Sequence, residues 1–177
     1  MTVIIDGTAP ISEEARYASS DFTTRPIAPA DAEALVRFHR RLSPRSVHLR
    51  YFDLHLELQP TEITHLTCVD GNNRVAYVVE HHGEIVAVAR YERLEDHSCA
   101  EVAFVVADEF QHHGLGSMLL ERLVREARRC GIAEFKASVL AENSAMLAVF
   151  RGTGFPMTLA RTYDVIELTM EIGPRCL

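Results

Sequence analysis

The stretch Glu101–Leu140, "EVAFVVADEFQHHGLGSMLLERLVREARRCGIAEFKASVL", changes its period in the middle, and that change decides the fold. Up to Ala107 it is a β-branched and apolar run, which reads as a strand. From Leu115 the apolar residues recur at helical spacing: Leu115, Met118, Leu119, Leu123, Ala127 and Cys130 form one stripe, with Glu121, Arg122, Arg125 and Arg128 opposite. Gly131 is placed to close that helix as a left-handed cap, and "AEFKASVL" returns to strand. A strand, a loop of His and Gly, a helix and a second strand follow in order.

Outward from this unit, "NRVAYVVEHHGEIVAVARYERL" reads as an antiparallel hairpin turning at His81-His82-Gly83, with "CAEVAFVVAD" as the next strand. Upstream, "TTRPIAPADAEALVRFHRRL" predicts a short strand, a Pro-containing turn and a helix that Asp31 caps. Ser43-Pro44 starts a second helix and "QPTEI" a third that runs to about Cys68. Downstream, "NSAMLAVFRGTG" is a short helix ending in Gly, and "YDVIELTMEI" a final strand. The first twenty residues have no sustained period; they read as an arm over residues 1–20, with a short strand at Val3 to Ile5, ahead of a single domain over residues 21–177. The expected class is α+β, a mixed and mostly antiparallel sheet flanked by helices. The hairpin and the last strand are the candidate edges for pairing with a second copy, while the oligomeric state itself is not legible.

The totals exclude several classes. A chain of 177 residues is long enough for one substantial core. With 47% apolar and 24% charged residues it is neither disordered nor membrane-like in composition, and no uninterrupted apolar run is long enough to span a bilayer. The start lacks the pattern of a secretory signal, so the cytoplasm is the expected compartment. The formal charge of −7 argues against a nucleic-acid partner and favours cationic ones such as amines. The locally basic "RFHRRLSPRSVHLR" reads as a solvated helix face. Cys68, Cys99, Cys130 and Cys176 are scattered, which predicts buried or free thiols, and Cys176 stands too near the end for prenylation.

The loop Gln111–Ser117 admits three readings: a metal site on His112 and His113, a phosphate cradle, or a plain strand–helix turn. Metal is disfavoured, because adjacent histidines point apart and no third ligand lies at a recognisable interval. The first N–H groups of a helix starting near Leu115 have no intrahelical partner and carry partial positive charge, while Gly114 and Gly116 allow a ligand close to the backbone. That suits a diphosphate. Gly-x-Gly at a helix start is weak evidence by itself, and each histidine reads equally well as a phosphate donor or a solvated surface residue.

The run from Ala100 to Phe155 resembles the core of the GNAT superfamily of acyl-CoA N-acyltransferases. Gln111-His112-His113-Gly114-Leu115-Gly116 matches the family's Gln/Arg-x-x-Gly-x-Gly/Ala loop, and Asn143 followed by Gly154-Phe155 matches its later segment. The pieces in order are specific; neither is alone. The resemblance implies acetyl-CoA as co-substrate and no metal. It implies that backbone groups of Phe104, Val105 and Val106 pair with the pantetheine arm, and that N–H groups from His112 to Ser117, Leu115 included, hold the pyrophosphate. Two departures stand out: His112-His113 replace a frequent Gly-Arg or Arg-Arg, and Phe150 stands where many members place a Tyr as general acid for the leaving thiolate.

An amine acceptor is mostly protonated near neutrality, so a base is needed. Glu101 is the leading candidate. Strand alternation puts it on the face of Cys99, Ala103 and Val105, where partial burial would raise its pKa towards that of a useful base; a solvated carboxylate is the competing reading. The resemblance adds that members acetylating protein lysines carry a Glu here as base. Glu142 is the reserve. Asn143 reads as a helix cap, as a partner of the cofactor's amide arm, or as both, and Phe150 as packing against the cofactor or the core. A covalent route through Cys99 lacks a partner base. In the expected reaction the amine attacks the thioester directly, with an N–H near Val105 or Val106 on the carbonyl oxygen.

"RPIAPADAEALVRFHRRLSPRSVHLRYF" also resembles the start of the acetyltransferase domain of bacterial protein-lysine acetyltransferases, including those that modify AMP-forming acyl-CoA synthetases. This implies a lysine-bearing protein as acceptor. Such relatives often carry a nucleotide- or amino-acid-sensing domain, for which 177 residues leave no room, so regulation in cis by one is not expected. Acetylation of a small amine and a non-catalytic coenzyme A-binding module are the alternatives.

Overall fold

In the computed structural model, which describes residues 3–5 as backbone and residues 21–53, 55 and 57–173, the run from Cys99 to Leu140 is β5 (Cys99–Val106), α4 (Leu115–Arg129) and β6 (Glu134–Leu140). The stripe of α4 faces inward: Leu115, Leu119, Leu120, Leu123, Val124 and Ala127 are buried against the sheet. Gly131 takes φ 77°, the left-handed cap that its sequence position predicts.

The other strands are β1 (Val3–Ile5), β2 (Phe22–Pro26), β3 (Arg74–His81), β4 (Glu84–Arg93), β7 (Met157–Thr162) and β8 (Val165–Glu171). Among the described residues these six and β5 and β6 form one eight-stranded sheet in the order β1-β7-β8-β6-β5-β4-β3-β2. Every pairing is antiparallel except β5 with β6, which fits the expected mixed, mostly antiparallel α+β class. The β3–β4 turn holds His82 at φ 51° and Gly83 at φ 81°, two consecutive positive values that fit the twist of a two-residue hairpin. The remaining helices are α1 (Ala32–Arg41), α2 (Pro44–Tyr51), α3 (Pro60–Thr67) and α5 (Ser144–Arg151).

Two cores lie on opposite faces of the sheet. One joins Val102, Phe104, Phe135 and Ala137 to α4 and to Leu147 and Phe150 of α5; the other joins Val78, Ile85 and Val88 to Leu35 and Phe38 of α1 and Val47 of α2. Val102 and Phe104 therefore point to the α4 face and Val105 to the α1–α2 face, as alternation requires.

Three expectations are corrected. Asp31 makes no side-chain cap on α1; its carboxylate accepts from the Ala28 N–H at 2.8 Å and pairs with Arg25 at 2.7 Å, since it sits at the end of a 3-10 turn over Pro29–Asp31 and faces back to β2. The last strand, expected alone, is present as β8 but is the second arm of a hairpin with β7, turning at Tyr163 with φ 55°, because Tyr-Asp makes the tight turn without the glycine that would have marked it. Neither the β3–β4 hairpin nor β8 is an edge: β2 covers β3 and β7 covers β8, leaving β1 and β2 outermost. The arm expectation for residues 1–2 and 6–20, and the thiol expectation for Cys176, lie outside the described residues. Cys68, Cys99 and Cys130 are free thiols.

Candidate active site

The site begins where two strands part. β5 pairs with β6 over Cys99, Ala100 and Glu101 alone, whereas β6 stays paired with β8 as far as Leu140. From Val102 to Val106 the edge of β5 towards β6 has no strand partner among the described residues. Alternation tells which amides face that wedge. The Ala107 N–H donates to the Val86 carbonyl at 2.8 Å and the Leu94 N–H to the Cys99 carbonyl at 2.9 Å, so the odd-numbered residues of β5 turn their peptide groups towards β4. Phe104 and Val106 turn theirs into the wedge. Val105, expected beside them, has its peptide groups committed to β4 and offers its side chain instead.

At the open end of the wedge lies the start of α4. The Met118 N–H, bonded to the Gly114 carbonyl at 3.1 Å, is the first to bond within the helix, so those of Leu115, Gly116 and Ser117 precede the ladder. The loop reaches this point through left-handed backbone at His112 (φ 63°) and Gly114 (φ 75°). A β-carbon at Gly116 would sit 3.3 Å from Val149 Cγ2, so this glycine also lets α4 and α5 pack closely.

Wedge and loop open into a cleft of about 570 Å³, within the range of small-molecule sites. Phe104, Val105, Val106, Gln111, His112, Gly114, Leu115, Gly116, Ser117 and Asn143 all line it. His113, Glu101 and Phe150 do not. His113 Nδ1 lies 2.8 Å from the Gln111 carbonyl and braces the loop. Glu101 and Phe150 line an adjoining cavity of about 70 Å³ that shares Phe104, Asn143 and Arg50 with the cleft.

Glu101 lies on the predicted face but is exposed, which corrects the expectation of partial burial. It is also the last residue of β5 paired to β6, hence at the apex of the wedge. Asn143 caps α5, its Oδ1 accepting from the Met146 N–H at 3.1 Å. Phe150 is 1% exposed and packs edge-on against Phe104, with ring centroids 5.9 Å apart. Burial pushes the Cys99 thiol up, and Glu134 and Asp96 next to it act in the same direction, so it is a poor nucleophile and lies outside both cavities.

One wall of the cleft was not legible. Arg45, Ser46, Leu49 and Arg50 of α2 line it, although the basic run containing them reads as a solvated face. A polar strap holds this wall to the loop: Asp108 accepts from Ser43 Oγ at 2.6 Å and from Ser46 Oγ at 2.9 Å, and Gln111 Nε2 donates to Ser46 Oγ at 3.0 Å and to the Val106 carbonyl at 3.2 Å. Burial works against the charge on Asp108, yet the hydrogen bonds from Ser43 and Ser46 hold its carboxyl below the usual range. The Gln111 side chain is thus a strut of the loop. The signal was present in Ser43-x-x-Ser46, but its partner lies more than sixty residues on.

A parted sheet edge beside a bare helix start can take an extended, phosphate-bearing ligand. The fit is physical: unpaired amides suit an amide-bearing arm, N–H groups at a dipole's positive end suit a diphosphate, and Arg45 adds a cation. Among the described residues no group of His, Cys, Asp or Glu is arranged to hold a metal ion. The family model for the acetyltransferase (GNAT) family matches residues 35–155, and the chain belongs to that family. Acetyltransferase PA5475 of Pseudomonas aeruginosa is 31% identical over 74% of this chain and 73% of its own length. Acetyltransferase Pat of Mycolicibacterium smegmatis is 32% identical over 86% of this chain but only 46% of its own, so the chain spans about half of that relative. Among solved structures, the GNAT domain of S. lividans PAT superposes with TM-score 0.77 at 34% identity, covering 84% of this chain and 89% of that one. The chain is accordingly an acetyl-CoA-dependent N-acetyltransferase that moves an acetyl group to an amine.

Proposed function

We propose that the acceptor is a lysine side chain of a protein, such as an acyl-CoA synthetase, that Glu101 takes its proton, and that the reaction runs in the cytoplasm. The observation carrying this reading is the position of Glu101: exposed and at the apex of the wedge, where a bulky acceptor can approach. A carboxylate reachable from outside serves a lysine borne on a protein surface, whereas a small amine is better served by a closed pocket.

Bound in the cleft, acetyl-CoA supplies a thioester carbonyl for an amine to attack. The chain's own residues do the rest. The N–H groups of Leu115, Gly116 and Ser117 bind the diphosphate, and His112 lies beside them. The peptide groups of Phe104 and the Val106 N–H align the arm and polarise the carbonyl oxygen. Asn143, with its oxygen engaged in the cap, has its amide N–H groups for the arm. Glu101 removes the amine proton directly or through one water. Phe150 has no proton to give, so the thiolate leaves to solvent.

Incubation of the protein with acetyl-CoA and an acyl-CoA synthetase, followed by peptide mass spectrometry, tests the acceptor. Acetyl groups on synthetase lysines are expected; acetylation of free amines with none on the protein would overturn it.

A further inference from the structure

A further cavity lies on the α1–α2–α3 side of the sheet. It holds about 30 Å³ and is walled by apolar groups including Phe38, Val88 and Val105, together with Tyr51 and two cations, Arg50 and Arg90. Arg90 comes from β4 and is 5% exposed. Its Nε and Nη2 have no hydrogen-bond partner among the described residues. Nη2 does lie 2.8 Å from Glu92 Oε1, but without the direction of a hydrogen bond, and that carboxylate is also 3.0 Å from His65 Nε2. Burial weighs against the charge on Arg90, Glu92 supports it, and Arg50 and Arg74 oppose it. With Glu92 on one side, the buried Nε that is left open beside a second cation calls for an anion beyond Glu92.

Size and place narrow which anion. A space of about 30 Å³ takes roughly two waters, or one carboxylate. The guanidinium fork matches a carboxylate. The cavity shares Arg50 and Val105 with the donor cleft and Ala103 with the cavity that Glu101 lines. In the β4–β5 register Glu92 faces Glu101 and Arg90 faces Ala103. Arg90 and Glu101 are therefore diagonal neighbours on one face, about 7–8 Å apart. That separation is comparable with the reach of a lysine side chain.

We infer that Arg90 and Arg50 form a subsite for a carboxylate carried by the acceptor, so that the enzyme selects amines that bear an acid group. This rests on the reading that the face of Glu101 receives the amine. The carboxylate has two sources: an acidic side chain next to a target lysine, or the free acid group of a small amino acid.

Side-chain NMR of protein labelled with ¹⁵N-arginine tests the subsite without catalysis. The Arg90 Nε–H is assigned by its loss in Arg90→Lys, which keeps the charge and the fold. Titration with 6-aminohexanoate should shift that resonance saturably, and hexylamine should not; no shift, or the same shift with both, overturns the subsite and leaves the cavity to water. Kinetics then separate the sources. Arg90→Gln should reduce about ten- to a hundredfold the preference for a carboxylated acceptor over its uncharged match. Lysine peptides with Asp or Asn beside the lysine report an acidic side chain; free lysine against 1,5-diaminopentane reports a free acid group. An unchanged preference in both pairs overturns the inference. A shift in the spectrum with no acetylation of any amine would instead sink the acceptor reading and leave the subsite standing.

Discussion

Glu101 and Phe150 line the same cavity and answer to different physics. Glu101→Gln keeps the shape and removes the carboxylate. Turnover should fall about 10²- to 10⁴-fold, with acetyl-CoA affinity by calorimetry unchanged and folding stability within about 0.5 kcal/mol of the parent. Unchanged turnover would take Glu101 out of the mechanism. Phe150→Ala is expected to show the reverse weighting: a buried aromatic removed from against Phe104 should cost about 3–5 kcal/mol in urea unfolding. The face on which Glu101 stands was legible from strand alternation, a local property. Its exposure was not, because burial depends on which helices reach across a sheet face, and no local pattern records that.

At the scale of elements, the cleft depends on three pieces being held together: the end of β5, the start of α4 and the wall of α2. Asp108 is the knot. Asp108→Asn should loosen α2 from the loop and weaken acetyl-CoA binding several-fold while far-ultraviolet circular dichroism stays unchanged; parental affinity would mean that the strap does not shape the donor site. Gly116→Val should be worse, since its added carbons meet Val149 and overpacking costs about 1–3 kcal/mol. Truncating the neighbour in Gly116→Val/Val149→Ala should recover part of that loss in thermal melts. The strand, loop and helix from Glu101 to Arg129 were readable because period, glycines and caps agree locally. The wall of α2 was hidden because a helix with arginines on several sides has no clear inner face until a partner selects one. The β7–β8 hairpin was hidden by a turn without glycine.

Across the whole molecule, the early strand β2 joins the sheet through its ladder with β3, and charge reinforces that join. Arg25 bridges Asp31 at 2.7 Å and Glu80 at 2.5 Å. The Arg25 guanidinium holds the Asp31 carboxyl below its usual range, with the Ala28 N–H adding to the effect. A depressed folded-state pKa stabilises the native state fully above the ordinary carboxylate value of about 3.9, and that contribution disappears as pH falls through the lower folded value. Asp31→Asn should therefore melt earlier than the parent at pH 7, by about 1–3 kcal/mol, and the gap should close on acidification below about pH 4. A gap independent of pH would mean that the loss is one of packing, not of charge.

The most direct test of the central claim is a crystal structure of the complex with acetyl-CoA. The diphosphate is expected on the N–H groups of Leu115, Gly116 and Ser117, with the pantetheine arm in the wedge against Phe104 and Val106 and the acetyl group near Glu101. A diphosphate seated away from the start of α4, or an arm lying outside the gap between β5 and β6, would contradict the account.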